Sequence, residues 1–166
     1  MNSAKKTDCS GSKWSILSNG AIVAMLLAGA LGICAVGAVR SVRAATPAKS
    51  TQDGVYTDDQ AKRGKAAYTD NCSACHMEDL SGSGQALPLA GDAFTQTWEG
   101  QTVNDLFDLV RNTMPQDKPG TLTPETSLDI ISYLLQFNHF PAGKDELKND
   151  PDALKNILIT TKKPAQ

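Results

Sequence analysis

A chain of 166 residues can hold one ordinary domain plus an extension and is too short for two separate cores. The formal net charge of −2 is unevenly spread. The first 44 residues hold five of the 16 basic residues and one of the 18 acids, so from Ala45 onward 11 basic side chains stand against 17 acidic ones, near −6. That balance argues against a nucleic-acid partner, because phosphate binding needs a basic face. It leaves two readings, a solvated acidic surface or a docking face for a basic partner.

The stretch from Trp14 to Val39, WSILSNGAIVAMLLAGALGICAVGAV, carries no charge and follows Lys5, Lys6 and Lys13. It reads as a secretory signal or as a single membrane span entering with its N-terminus in the cytoplasm. Its apolar heart, Ala21 to Val39, exceeds the roughly 7–15 residues of a signal h-region and approaches the roughly 20 needed to cross a bilayer. Length favours an anchor. The small residues around Val42-Arg43-Ala44 suit cleavage after Ala44, so residues 1–44 are assigned as signal peptide or membrane anchor. Either way the rest of the chain is exported. Of the four cysteines, Cys34 is an apolar filler of that segment and Cys9 precedes it, which leaves Cys72 and Cys75 for chemistry in the exported part.

Residues 45–56, ATPAKSTQDGVY, are small and polar and read as a linker. A helix is predicted from Asp58 to about Thr69, with Thr57 as N-cap and Asp58 and Asp59 at the positive end of the helix dipole. From Met77 to Gly100 the chain is rich in Gly, Ser and Pro and reads as loop, apart from a turn of helix near Gly91 to Thr97. A second helix starts after Thr102, with Asp105 completing a capping box and Val103, Leu106, Phe107 and Val110 forming one apolar face. A third begins at Thr123-Pro124-Glu125, cap, proline at the first helical position and an acid in the first turn. Its face is Leu128, Ile131, Leu134 and Leu135, extended by Ile130, Tyr133 and Phe137. The tail, 141–166, has a short helical signal after Asp150-Pro151 and an apolar end that returns to the domain. Three helices with four Phe, three Tyr and two Trp make a thin core. A large group in the middle would fill it.

Cys72-Ser73-Ala74-Cys75-His76 supplies such a group. Two cysteines three apart on a helical turn point both sulfurs to one side, and the next residue projects its imidazole close by. This spacing is suited to thioether bonds with the two vinyl groups of a haem while histidine binds the iron, the attachment pattern for c-type haem. A thioredoxin-like redox pair would follow a strand in a βαβ pattern, which this chain lacks. A structural zinc needs four ligands, and Cys72, Cys75 and the two histidines are the whole exported supply. A disulfide this short in sequence would add little.

The sixth ligand decides between carrying electrons and binding small molecules. Met77, adjacent to His76, is held on the proximal side; Met1 and Met25 lie in the leader. Met114 is the remaining thioether, 38 residues beyond His76, with His139 as the rival. His/Met ligation raises the reduction potential and closes the iron to substrate.

The chain from about Tyr56 to Phe140 resembles class I cytochrome c, and residues 57–140 are assigned as that domain. Gly64, Tyr68 and Cys72 match the family's first-helix glycine, aromatic and haem cysteine, and Ile130 and Tyr133 match the last-helix positions they pack against. The resemblance implies an all-α fold, three main helices around one covalently attached haem c, preceded here by the hydrophobic N-terminal segment. The family's Pro-x-Leu-x-Gly segment, whose proline carbonyl accepts a hydrogen bond from the haem histidine, corresponds to LPLAG. Leu89 and Gly91 are in place, but Pro88 is in the middle position and Leu87 stands where the motif has proline, so the carbonyl that orients His76 is left open. Met77 occupies a site where the family often has glycine. The wording from Thr102 to Gly143 is further similar to bacterial cytochromes c that partner, or are fused to, PQQ-dependent dehydrogenases. That narrower likeness implies a crevice lined by Phe94, Trp98, Leu106 and Phe107 with Leu134 and Leu135.

The sequence thus leads to a one-electron carrier on the periplasmic side of a bacterial inner membrane. Its cofactor contacts are Cys72, Cys75, His76, Met114, Pro88, Leu89, Phe94, Trp98, Leu106 and Phe107, with His76 and Met114 on the metal. Its partners are redox proteins: a dehydrogenase, PQQ-dependent by the narrower likeness, and a terminal oxidase or other acceptor. A haem enzyme or small-ligand sensor with an open sixth position is the alternative of a different class. A tethered adaptor stapled by zinc or a disulfide is a third.

Overall fold

The computed structural model describes residues 49–84 and 86–162. The signal peptide or anchor expected over residues 1–44, the cleavage position expected at Ala44, Cys9 and Cys34 lie outside the described residues. Among those described, no helix is long and apolar enough to cross a membrane.

In chain order the elements are β1 (Lys49–Ser50), a 3-10 turn (Thr51–Asp53), α1 (Asp58–Asn71), α2 (Ser73–His76), α3 (Gly91–Trp98), α4 (Val103–Thr113), α5 (Pro124–Phe137), α6 (Pro151–Lys155) and β2 (Ile157–Leu158). The helix starts follow from capping chemistry. Thr57 Oγ1 accepts from Gln60 N at 3.1 Å and opens α1. At α4, Thr102 Oγ1 accepts from Asp105 N and the Asp105 carboxylate accepts from Thr102 N at 2.8 Å, a reciprocal box. Thr123 caps α5, where Pro124 takes the first helical position, which has no intrahelical use for an N–H. The turn of helix expected near Gly91 is a full α3 of eight residues, ending at Trp98.

α1 and α5 make the main helix pair. Their crossing rests on Gly64: a Cβ there would collide with the Asp129 carbonyl and come within 3.0 Å of Tyr133 Cβ. Four residues on, the Tyr68 ring sits 5.3 Å from the Tyr133 ring, tilted by 56°, and Tyr133 in turn meets Phe137 edge-on at 5.9 Å. Ile130 is buried in the same core as Leu128, Ile131, Leu134 and Leu135. From α4 the inward residues are Val103, Leu106, Phe107 and Val110, and α3 adds Phe94 and Trp98.

The 45–56 linker expectation is corrected from Lys49 onward. Ser50, Thr51, Val55 and Tyr56 are buried, and β1 pairs in parallel with β2 of the tail. The Tyr56 hydroxyl donates to Phe140 O at 2.6 Å. Polarity misled the reading here: Ser50 and Thr51 are polar yet satisfied internally, Thr51 Oγ1 donating to Thr160 O and accepting from Thr160 N. The tail also pairs with the segment before α4, through Gly100 N to Ile159 O and Ile159 N to Gln101 O. Ile157 and Ile159 are thereby buried.

Candidate functional site

α1 runs almost without interruption into α2. Cys72 is both the C-cap of the first and the N-cap of the second, with φ −128° and ψ −34°, its N–H bonded to Tyr68 O at 2.8 Å. Its own carbonyl accepts from Cys75 N at 3.1 Å and His76 N at 2.9 Å, which winds Cys72, Cys75 and His76 onto a single turn. Both thiols are free; Cys72 is half-buried against the apolar core and Cys75 is exposed. Met77 ends the turn with φ 62° and ψ 159°, and its carbonyl accepts from the Tyr68 hydroxyl at 2.8 Å.

His76 Nδ1 lies 2.8 Å from Leu87 O. A carbonyl oxygen only accepts, so Nδ1 carries the proton and the lone pair belongs to Nε2, the nitrogen left to bind a metal. The carbonyl on the ring is therefore that of Leu87. Pro88, expected among the cofactor contacts, is exposed. The bond uses a backbone oxygen, which any residue supplies. What Pro88 does is restrict Leu87 to extended backbone. The correspondence of Leu87 with the first position of LPLAG was the sequence signal for it.

Phe94, Trp98, Leu106 and Phe107 join one apolar cluster, with Leu89 and Cys72 packed against its edge. Met114 is the C-cap of α4, its N–H bonded to Val110 O, and its side chain is half-buried outside that cluster. His139 is exposed. A groove of about 380 Å³ bordered by Lys49, Glu146, Lys148 and Leu154 includes none of these residues.

The donor set discriminates among the chemistries left open by the sequence. Burial, reinforced by the neighbouring Cys75, pushes the Cys72 thiol up to about 11. A redox-active pair requires the opposite shift, toward thiolate. Among the described residues no three His, Cys, Asp or Glu side chains gather to hold a metal ion. Two thiols on one turn, an imidazole with Nε2 available and an apolar cluster beside them fit a haem, which brings four metal-binding nitrogens of its own and offers vinyl groups to the thiols.

Residues 59–134 match the family model described as cytochrome c oxidase, cbb3-type, subunit III. The crystal structure of the sulfane dehydrogenase SoxCD from Paracoccus pantotrophus is similar over 63% of this chain and 59% of that one, at 22% identity and a TM-score of 0.43. This chain thus spans less than two thirds of the length of that one. The comparison with curated proteins returned no match. The helical fold, the CxxCH turn and the family match over residues 59–134 support a monohaem class I c-type cytochrome domain with covalently attached haem c. The same match supports electron transfer as its general role.

Three contributors to the site were not legible beforehand. Tyr68, expected as a packing residue, also fixes the Met77 carbonyl. Ser83 and Asn138 bond to the turn and to the loop after it. A short polar residue directly after a helix, as in Phe137-Asn138, was the available hint for the last.

Proposed function

We propose that this chain is a one-electron carrier whose haem is attached at Cys72 and Cys75 and bound by His76 and Met114. The observation that carries the reading is the 2.8 Å contact of His76 Nδ1 with Leu87 O, which presents Nε2 as the ligand atom. When bound, haem c supplies an Fe(III)/Fe(II) couple that takes up and releases a single electron. Leu87 keeps the proton on Nδ1, while Phe94, Trp98, Leu106 and Phe107 exclude water and favour the less charged reduced state. Met114, the thioether at the end of α4, would be the second ligand, and together with His76 it would close the iron to substrate, so that the chain acts as carrier rather than catalyst.

The site of action is the periplasmic side of a bacterial inner membrane, with the N-terminal segment either anchoring the domain or cut near Ala44. The donor is a dehydrogenase and the acceptor a terminal oxidase or another respiratory component. A PQQ-dependent donor is supported by the sequence likeness over Thr102 to Gly143, and a basic docking face on the partner by the acidic surplus after Ala45.

The test is spectroscopic. The oxidised protein should display the thioether-to-iron charge-transfer band at the red end of its spectrum. Met114→Ala should abolish it, lower the reduction potential and let the reduced iron bind carbon monoxide. Ready carbon monoxide binding by the unaltered protein, or an unchanged potential in the variant, would replace the carrier with the open-site enzyme or sensor. Cys72→Ala combined with Cys75→Ala should remove haem from denaturing gels.

A further inference from the structure

The loop from Leu80 to Gly91 carries the carbonyl that orients His76, and it is held at both ends by side chains with no part in haem attachment. At the near end, Ser83 Oγ donates to Cys75 O at 2.8 Å and Gly82 N to His76 O at 3.1 Å. These two carbonyls end the short α2 and would otherwise lack partners. Ser83 also pairs with Ala86 in an antiparallel bridge, one residue before Leu87. At the far end, Leu89 N donates to Leu80 O at 2.8 Å, closing the loop's base. Asn138, the C-cap of α5, then grips it: Nδ2 donates to Leu89 O at 2.9 Å and to Leu134 O at 2.8 Å, and Oδ1 accepts from Gly91 N at 2.8 Å. Leu87 sits between these anchors and is 72% exposed. Packing therefore does not hold it; hydrogen bonds on either side do. Gly82 leaves no slack, since a Cβ there would lie 2.8 Å from Leu87 C and Pro88 N.

We infer that Ser83 and Asn138 are positioning residues that set the strength of the His76 Nδ1–H···Leu87 O bond and, through it, the reduction potential. The inference rests on His76 being an iron ligand. A strong bond at Nδ1 gives the ring more imidazolate character and makes Nε2 a better donor to the oxidised iron. Loosening the loop weakens it and favours the reduced iron.

The experiment compares the haem-loaded full chain with Ser83→Ala, Ser83→Thr and Asn138→Ala, reading the reduction potential and the NMR shift of the His76 Nδ1 proton. Ser83→Ala and Asn138→Ala should each shift the potential upward and move the Nδ1 proton upfield, while Ser83→Thr, which keeps the hydroxyl, stays with the unaltered protein. Haem-loaded, folded Ser83→Ala with potential and proton shift unchanged overturns the inference and leaves the carrier reading standing. Should Asn138→Ala fail to fold, Ser83→Ala alone decides. Absence of histidine–iron ligation in the unaltered protein would remove both readings together.

Discussion

Met77 occupies backbone that side chains avoid. Its φ of 62° with ψ of 159° lies in a region nearly restricted to glycine, at a cost of order 1–3 kcal/mol. The conformation turns the chain sharply after His76 and is pinned by the Tyr68 hydroxyl on the Met77 carbonyl. This explains why the resembling family often has glycine there. Met77→Gly should raise stability by about 1 kcal/mol, strain relief exceeding glycine's extra unfolded-state entropy, as read from the denaturation midpoint of the haem-loaded protein; a lower midpoint would contradict the strain argument.

Among the elements, the α1–α5 crossing is the one on which attachment depends, because α1 leads directly into the Cys72 turn. The missing side chain of Gly64 lets the Asp129 carbonyl approach, and Tyr68 and Tyr133 fill the space beyond. Gly64→Ala gains about 1 kcal/mol of helix propensity but forces the helices apart, an overpacking cost of about 3 kcal/mol or more. Unfolding by denaturant should show a net loss of about 2 kcal/mol, with weaker haem retention during maturation. The α1, α4 and α5 starts were legible because capping is local chemistry. The full length of α3 was less so, its N-terminus having no side-chain cap.

At the scale of the whole molecule, the chain on either side of the helices is closed by polar ties. The Gln60 amide exchanges hydrogen bonds with Leu147 O and Leu147 N at 3.0 and 2.8 Å, inside the core. Arg63 bridges Asp129 and Glu146, but it is half-exposed, so each pair is worth only about 0–1 kcal/mol. Tyr56 is the buried tie, and burial, with the charge of Asp58 second, pushes its hydroxyl up to about 12 from the ordinary 10. Since the folded state holds that proton more tightly, its contribution is complete below pH 10 and is lost as pH rises from there to about 12. Stability measured across this window should fall, and Tyr56→Phe should be less stable at pH 7 yet show a shallower alkaline decline. At the acid end, hydrogen bonds from Thr160 and then Thr161 hold the Glu99 carboxyl below its ordinary value, so its contribution is present above about pH 4.5 and fades as pH falls. Glu99→Gln should flatten that limb.

Whatever depends on neighbours along the chain could be read from the residues directly: the CxxCH turn, the capped helix starts, the apolar helix faces and the glycine–aromatic pair of α1. These are legible because three- and four-residue spacings dictate which side chains share a turn. Tertiary structure decided the rest. It selected Leu87 O as the oxygen on His76, took residues 49–56 into the fold and brought Asn138 to the loop beyond α2. Backbone carbonyls carry no residue label, and a polar segment reads as linker until its distant partner, here Thr160, is folded against it.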